Sequence, residues 1–266
     1  MQYENRMPSM NWQKTMLQLL MLFTLGGTVV TLVGEAFKTY LIWYLRFADL
    51  VDLLIMAPVY LISLVLLHEQ FLKGNASGRL RLAFLVLTGV FLYGHAMHVT
   101  ANAIDTFSTE IRDYGSVLPS DMYALIYFLD ETLSHLIIFF SRYSLFACLL
   151  WLEVRYLSSA TSSGTQKLAI GAGALFGLWE AMVFTEGQKV LLVPLLVAAL
   201  GGLWVWLWWQ SGSAFTSFLK TGPVTSFVAG LLPSMLVGLG LYALIVGGFT
   251  EPSELSLLGP QPGLKN

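Results

Sequence analysis

Seven apolar stretches of the chain are each long enough to cross a lipid bilayer as a helix. A spanning helix needs about 20 mainly apolar residues. The stretches cover residues 15–36, 50–69, 81–104, 121–153, 167–187, 189–210 and 224–248. This pattern predicts an all-α, polytopic integral membrane protein with seven transmembrane helices and short loops. We expect one domain over residues 1–250 and a flexible C-terminal tail over residues 251–266.

Composition agrees with a membrane location. Charged residues make up only 11% of the chain, whereas soluble domains carry about 25%. No basic patch suited to nucleic acid is present. The single cysteine, Cys148, lies inside an apolar run, which excludes an intrachain disulfide and a cysteine metal cluster. The first apolar run is not followed by a small-residue cleavage pattern, so we interpret it as a retained helix rather than a signal peptide.

The connections between the stretches carry further information. The fourth stretch, 121–153, is longer than a bilayer requires, so it projects or tilts. Only the residues 186–189 separate the fifth stretch from the sixth, which predicts a tight helical hairpin. Segment 39–47 is too short to span, and its Trp, Tyr and Arg content predicts an interfacial helix. Gly173 and Gly177 form a small-xxx-small pair that favours close helix packing.

Basic residues are distributed unequally between the two sides of the membrane. Eight lie on the side of the N-terminus and five on the other, with the excess greatest in the short loop 70–81. By the positive-inside rule, this asymmetry predicts a cytoplasmic N-terminus and a non-cytoplasmic C-terminus. We expect the protein in a plasma or inner membrane.

Acidic residues show a stronger asymmetry in the opposite sense. Three lie on the side of the N-terminus, and thirteen lie on the other side or in the adjoining half of the membrane. Acidic residues contribute little to topology, so this distribution needs another cause. A cation site, a path for a cationic substrate, or a solvated acidic surface would each account for it.

Carboxylates and imidazoles from five predicted helices fall in the same half of the bilayer. The residues at this level are Glu35, Asp49, Asp52, His95, His98, Asn102, Asp105, Asp130, Glu131, His135, Glu180 and Glu186. A charged side chain at the centre of a membrane helix costs at least about 2.5–3.5 kcal/mol and normally faces the bundle interior or a cavity. The convergence therefore predicts a polar cavity in the non-cytoplasmic half.

Helical spacing arranges the residues within this cavity. His95, His98, Asn102 and Asp105 fall within an arc of about 80° on the third helix. On the fourth helix, Glu131 and His135 are an i, i+4 pair and share one face. Tyr127 and Arg142 lie on the same stripe as that pair. Arg142 could pair with a carboxylate on another helix or hold an anionic head group.

Histidine and carboxylate side chains at these spacings are typical of helical metal sites. We expect four primary ligands, with Glu35 and Glu180 completing or bridging the centre. The four are His95, His98, Glu131 and His135. Without cysteine ligands, the metals that fit are zinc, iron, manganese and copper.

Supporting roles fall to the polar residues around these ligands. Asp130 would shuttle a proton, with Glu131 and Glu180 as further catalytic carboxylates. Four residues would support the ligands: Asn102, Asp105, Tyr127 and Arg142. The alternative is that the histidines form hydrogen bonds between helices without a metal.

A site at this depth favours a lipid or another hydrophobic or amphipathic substrate. The leading hypothesis is a metal-dependent membrane enzyme, hydrolytic with zinc or oxidative with iron or copper. Two alternatives remain: a transporter coupled to protons or metal cations, and a non-catalytic, metal-binding subunit of a larger membrane complex.

Overall fold

The computed structural model describes residues 12–36, 40–42, 45–113, 119–157 and 160–250. Side chains are described over most of these ranges, but not at 34–36, 40–46, 105–113 or 120–121. The predicted tail, 251–266, lies outside the described residues.

Seven helices of the described chain are long and apolar enough to cross a membrane, as predicted. Their bounds are α1 Trp12–Val33, α2 Phe47–Asn75, α3 Gly78–Ile104, α4 Met122–Leu157, α5 Ser163–Glu186, α6 Val190–Ser211 and α7 Pro223–Val246. The α3 backbone stays helical to Asp113. The predicted tight hairpin joins α5 to α6, and a short helix, Phe215–Leu219, lies between α6 and α7. The chain is therefore an integral membrane protein with a nearly all-helical fold.

Contacts between the helices show that neighbours in sequence run antiparallel. Trp12, at the start of α1, packs edge-on against Phe71, near the end of α2. Glu153, near the end of α4, bonds to the first turn of α7. The odd-numbered helices thus all begin at one end of the bundle, which we call the near end. Their other ends define the far end, where α2, α4 and α6 begin.

Helices α5 and α7 run parallel and are packed backbone to backbone. A Cβ atom at Gly173 would overlap the carbonyl oxygen of Phe227, and one at Gly177 would overlap that of Leu231. Gly230 of α7 makes the same kind of contact with α5, because a Cβ atom there would overlap the carbonyl oxygen of Ile170. The predicted small-xxx-small pair therefore serves helix packing, where dispersion between close backbones replaces the hydrophobic effect that lipid cannot supply.

Five phenylalanine rings fill the middle of the bundle. We call this set the phenylalanine layer: Phe23, Phe91, Phe146, Phe176 and Phe227. Ring centroids of contacting pairs lie 5.4 to 6.1 Å apart in edge-on or tilted arrangements, the geometries that aromatic quadrupoles favour. One ring each comes from α1, α3, α4, α5 and α7, so the layer joins five helices.

Segment 39–47 differs from its prediction. The predicted interfacial helix is wrong, because Tyr40–Ile42 (β1) and Leu45–Arg46 (β2) pair as antiparallel strands. Tyr40 lies opposite Arg46, and Ile42 lies opposite Leu45. Aromatic and β-branched residues favour extended backbone, and a stretch this short gains little from helix formation. Reading the tyrosines and the tryptophan only as interfacial anchors overlooked this propensity.

We expect Gly173→Ala to lower the thermal unfolding temperature in detergent. The added methyl group must push α5 away from α7, and overpacking of this kind costs about 1–3 kcal/mol. Gly171→Ala is the matched control, because nothing lies within 4 Å of a Cβ atom there. Equal unfolding temperatures for the two variants would contradict the close packing.

Candidate functional site

Polar side chains from α3, α4 and α5 are buried together in the far half of the bundle. His95 is 7% exposed, Asp130 2%, His135 9% and Glu180 0%. Burial of such groups is costly unless each finds a partner. The partners of these side chains therefore determine what the site can do.

His98 of α3 and Asp130 of α4 form an ion pair between the two helices. His98 Nδ1 lies 2.7 Å from Asp130 Oδ1. The two buried atoms are each other's partner in this ion pair. Asp130, which was expected to shuttle a proton, thus contacts Nδ1 of His98, which was expected to be a metal ligand.

His135 is fixed by the backbone of its own helix. Its Nδ1 lies 2.9 Å from the carbonyl oxygen of Glu131. A carbonyl only accepts, so Nδ1 carries the proton and Nε2 keeps its lone pair. The His135 ring centroid lies 4.7 Å from that of His98. The Glu131 carboxylate is 3.6 Å from His135 Nδ1 and remains 29% exposed.

A π-helical turn, Phe128–Ser134, makes this arrangement possible. The wider turn frees carbonyl groups from the regular α-helical pattern. Two side chains from the next turn donate hydrogen bonds to carbonyl groups of this turn. Ser134 Oγ donates to Asp130 O, and His135 Nδ1 donates to Glu131 O. Within the described chain, four other π-helical turns occur, one of them beginning at Asp52 in α2. Turns of this type are frequent at functional sites.

His95 lies one helical turn deeper than His98 and contacts α2. Its ring meets the Tyr60 ring edge-on, with centroids 5.2 Å apart. The backbone of Asp52 makes a hydrogen bond to His95. His95 Nε2 is buried and has no hydrogen-bond partner. Among the three histidines, His135 is thus held through Nδ1 by a carbonyl oxygen, His98 Nδ1 lies against a carboxylate oxygen, and His95 keeps an unsatisfied Nε2.

Glu180 is held by Arg142 in a buried ion pair between α4 and α5. The Arg142 guanidinium carbon lies 5.5 Å from the Phe91 ring centroid and 5.8 Å from that of Phe176. Both rings belong to the phenylalanine layer, so the cation rests on the layer and faces the polar half. Glu180 was expected to be a metal ligand and a catalytic carboxylate. Its Oε1 is taken by Arg142, whereas Oε2 is buried without a hydrogen bond.

Unsatisfied polar atoms concentrate at this level of the bundle. Six buried side-chain nitrogen or oxygen atoms of the described chain lack a hydrogen bond. Four of them lie here: His98 Nδ1 and Asp130 Oδ1, which form an ion pair with each other, and His95 Nε2 and Glu180 Oε2. Each unsatisfied group in a folded protein calls for an explanation, such as an ion or a water.

The remaining predicted residues are more peripheral. Asn102 is half-buried, and Tyr127 is 41% exposed on the surface of α4. The side chains of Glu35 and Asp105 lie outside the described residues. Within the described chain, no group of three or more His, Cys, Asp or Glu side chains is already arranged to hold a metal ion.

Three contacts of the site escaped sequence reasoning. A Cβ atom at Gly94 would overlap Ile137, so this glycine brings α3 against α4 beside the histidines. Gly187, in the α5–α6 turn, lies over His135, with a Cβ position 3.3 Å from Nδ1. Tyr60 gave no signal, because an aromatic residue in a membrane helix is ordinary. The glycine directly before His95 was a usable signal.

Breaking the Arg142–Glu180 pair from one side should destabilise the protein more than removing both charges. Arg142→Met or Glu180→Leu alone leaves a buried charge unpaired, which costs about 3–5 kcal/mol. We expect the double variant to regain most of the lost stability, since apolar side chains of similar size replace a buried pair well. Thermal unfolding in detergent measures the stability of the wild type, the two single variants and the double variant. If the loss in the double variant equals the sum of the two single losses, the ion pair does not behave as described.

Comparison with protein-family models, curated proteins and solved structures finds no match to this chain. The case for its function therefore depends on the geometry of the site.

Proposed function

We propose that this protein is a metal-dependent membrane enzyme that acts on a lipid or another hydrophobic molecule. The observation that carries the proposal is the arrangement of the three far-half histidines. His98 and His135 each have Nδ1 against an oxygen atom, and His95 Nε2 is buried without a hydrogen bond. Metal-binding histidines typically have this arrangement, because the oxygen fixes the tautomer and the orientation of the ring.

The chemistry of the donor set supports a transition metal. His98, backed by the Asp130 carboxylate, fits the carboxylate–histidine–metal arrangement. The unsatisfied atoms at this level favour a cation that would balance the carboxylates. Imidazole ligands without cysteine suit zinc, iron, manganese or copper. Side chains on α3 and α4 would need to rotate to bring the Nε2 atoms onto one ion.

The residues around the ion would then have distinct roles. A bound zinc would supply a water of lowered pKa for hydrolysis, whereas iron or copper would supply oxidative chemistry. Asp130 would orient His98. Glu131, 29% exposed, is the carboxylate best placed to exchange a proton with substrate or solvent. Glu180 would remain with Arg142 and contribute charge balance rather than a ligand bond.

An apolar or amphipathic substrate fits the location of the site. His98 is 27% exposed, so the site can be reached from outside the packed core. Tyr127 and Phe128, exposed on α4 beside the π-helical turn, present an apolar surface next to it. Membrane lipids are therefore the molecules in its immediate surroundings. With a cytoplasmic N-terminus, as the basic residues favour, the site lies in the non-cytoplasmic half of a plasma or inner membrane.

Proton or metal-cation transport is the second candidate, because Arg142 and Glu180 extend the polar side chains to mid-bundle. A conduit would need to continue toward the near end. The phenylalanine layer would block such a conduit. Beyond it, the buried α4 side chains between Phe146 and Glu153 are all apolar: Leu149, Leu150 and Leu152. One-sided polarity favours an enzyme. A non-catalytic subunit would share the metal site and differ in co-purifying with partner proteins.

Elemental analysis of the detergent-purified protein tests the proposal. We expect about one transition-metal ion per chain, lost in His98→Ala/His135→Ala because both imidazole ligands are removed. His68→Ala is the matched control, since His68 lies at the near end of α2 beside Glu69. Absence of metal from the folded wild-type protein, or equal loss in the control, would overturn the proposal.

Flux measurements in proteoliposomes separate the enzyme from the transporter. We expect no proton or metal flux above that of protein-free vesicles, because the phenylalanine layer closes the near half of the bundle. Flux that depends on His98 would favour transport instead.

A further inference from the structure

A second charged feature lies at the near end, away from the histidines. Trp151 of α4 and Trp206 of α6 have nearly parallel rings, with ring planes 11° apart and centroids 5.7 Å apart. The Arg155 guanidinium carbon lies 5.2 Å from the Trp151 centroid and 5.5 Å from that of Trp206. Arg155 is exposed. Two aromatic rings thus hold one cation on the outer surface of the bundle.

The acidic side chains at this end are engaged elsewhere. Described side chains at the near end include two acids, Glu69 and Glu153. Glu69 Oε2 accepts from Lys73 Nζ at 2.6 Å. Glu153 is fully buried, although it lies only two residues before Arg155.

The Glu153 carboxylate makes its hydrogen bonds at the start of α7. It accepts hydrogen bonds from the Val224 and Thr225 backbone N–H groups, each at 2.7 Å, and from Thr225 Oγ1 at 2.6 Å. A carboxylate at a helix N-terminus is favoured by the helix dipole. The described contacts of Arg155 are therefore the two rings, and its charge has no described carboxylate partner.

Charge at this end of the bundle is consequently positive. Seven basic side chains of the described chain lie here: Lys14, Lys73, Arg79, Arg81, Arg155, Lys167 and Lys220. Tryptophan and arginine at a helix end are typical of the headgroup region of a bilayer. Trp206 is 38% exposed and Tyr156 is 45% exposed, so the surface around Arg155 faces lipid.

We propose that Arg155, held on Trp151 and Trp206, binds the phosphate of an anionic phospholipid headgroup. A guanidinium offers two parallel N–H donors to a phosphate. The two rings hold the guanidinium in place, which limits the loss of side-chain freedom on binding. The lipid chains would then lie along the exposed apolar surfaces of α4 and α6. The site is independent of the proposed metal and of the catalytic proposal.

Native mass spectrometry of the full-length protein in detergent tests this site, with phosphatidylglycerol as the titrated lipid. We expect Arg155→Gln to weaken the first bound lipid about fivefold, which is the effect of one basic residue at a membrane surface. Arg79→Gln, an exposed basic residue at the same end, is the matched control and should leave that affinity unchanged. Trp206→Leu should give a smaller loss, because the charge remains but one supporting ring is removed.

Two further titrations identify the ligand. Phosphatidylcholine should bind more weakly than phosphatidylglycerol, and millimolar inorganic phosphate should not displace the lipid. Equal effects of Arg155→Gln and Arg79→Gln would overturn the proposal in favour of a diffuse basic surface. Displacement by inorganic phosphate would overturn it in favour of a soluble anion. Thermal unfolding of each variant confirms that the compared proteins are folded.

Discussion

An ion pair in the middle of an apolar bundle must be stabilised by the helices around it, because neither charge can reach bulk water. Arg142 and Glu180 form an ion pair across α4 and α5, and the guanidinium lies against the Phe91 and Phe176 rings. Such a pair is costly to form, and its geometry has to be maintained by packing. The close α5–α7 contact supplies that packing, since it fixes the helix that carries Glu180. The ion pair therefore marks the boundary between two chemically different halves of the membrane domain.

On the far side of that boundary, the bundle tolerates polar side chains that would be excluded elsewhere. Histidines from α3 and α4 meet there because Gly94 removes a side chain between the two helices and a π-helical turn redirects Asp130 inward. On the near side, the buried acid Glu153 has a structural explanation as the cap of α7. The contrast supports different interpretations of the two sets of buried polar groups. Glu153 at the near end has its hydrogen bonds completed, whereas the far-half set contains unsatisfied atoms such as His95 Nε2 and Glu180 Oε2.

Much of this architecture could be predicted from the sequence, because the bilayer dictates helix length. The seven spans and the small-residue contact of Gly173 and Gly177 follow from apolar run length and helical spacing. The level at which the polar residues lie follows from alternating helix direction. The direction in which each side chain points around its helix axis was less predictable. The prediction for α4 assumed 3.6 residues per turn and made Glu131 and His135 a pair of ligands, whereas the π-helical turn buries Asp130 and leaves Glu131 partly exposed.

The sequence suggested a carboxylate on another helix as a partner of Arg142, but it did not identify which one. Glu180 was assigned to a metal because it shares a depth with the histidines, yet its nearest cation is the Arg142 side chain. Tyr60 contacts His95 through a helix packing that no local pattern encodes. The paired strands Tyr40–Ile42 and Leu45–Arg46 show the limit of composition, since aromatic residues suit both a membrane interface and a strand.

The central claim is that the far-half histidines bind a metal through Nε2. X-ray absorption at the edge of the co-purified metal tests it most directly, because imidazole ligands give a characteristic outer-shell scattering pattern. We expect two or three imidazole nitrogens at about 2.0–2.1 Å, the usual zinc–histidine distance, with the pattern lost in the His98/His135 double alanine variant. A first shell of oxygen or sulfur alone, or an imidazole signal that persists in that variant, would contradict the account.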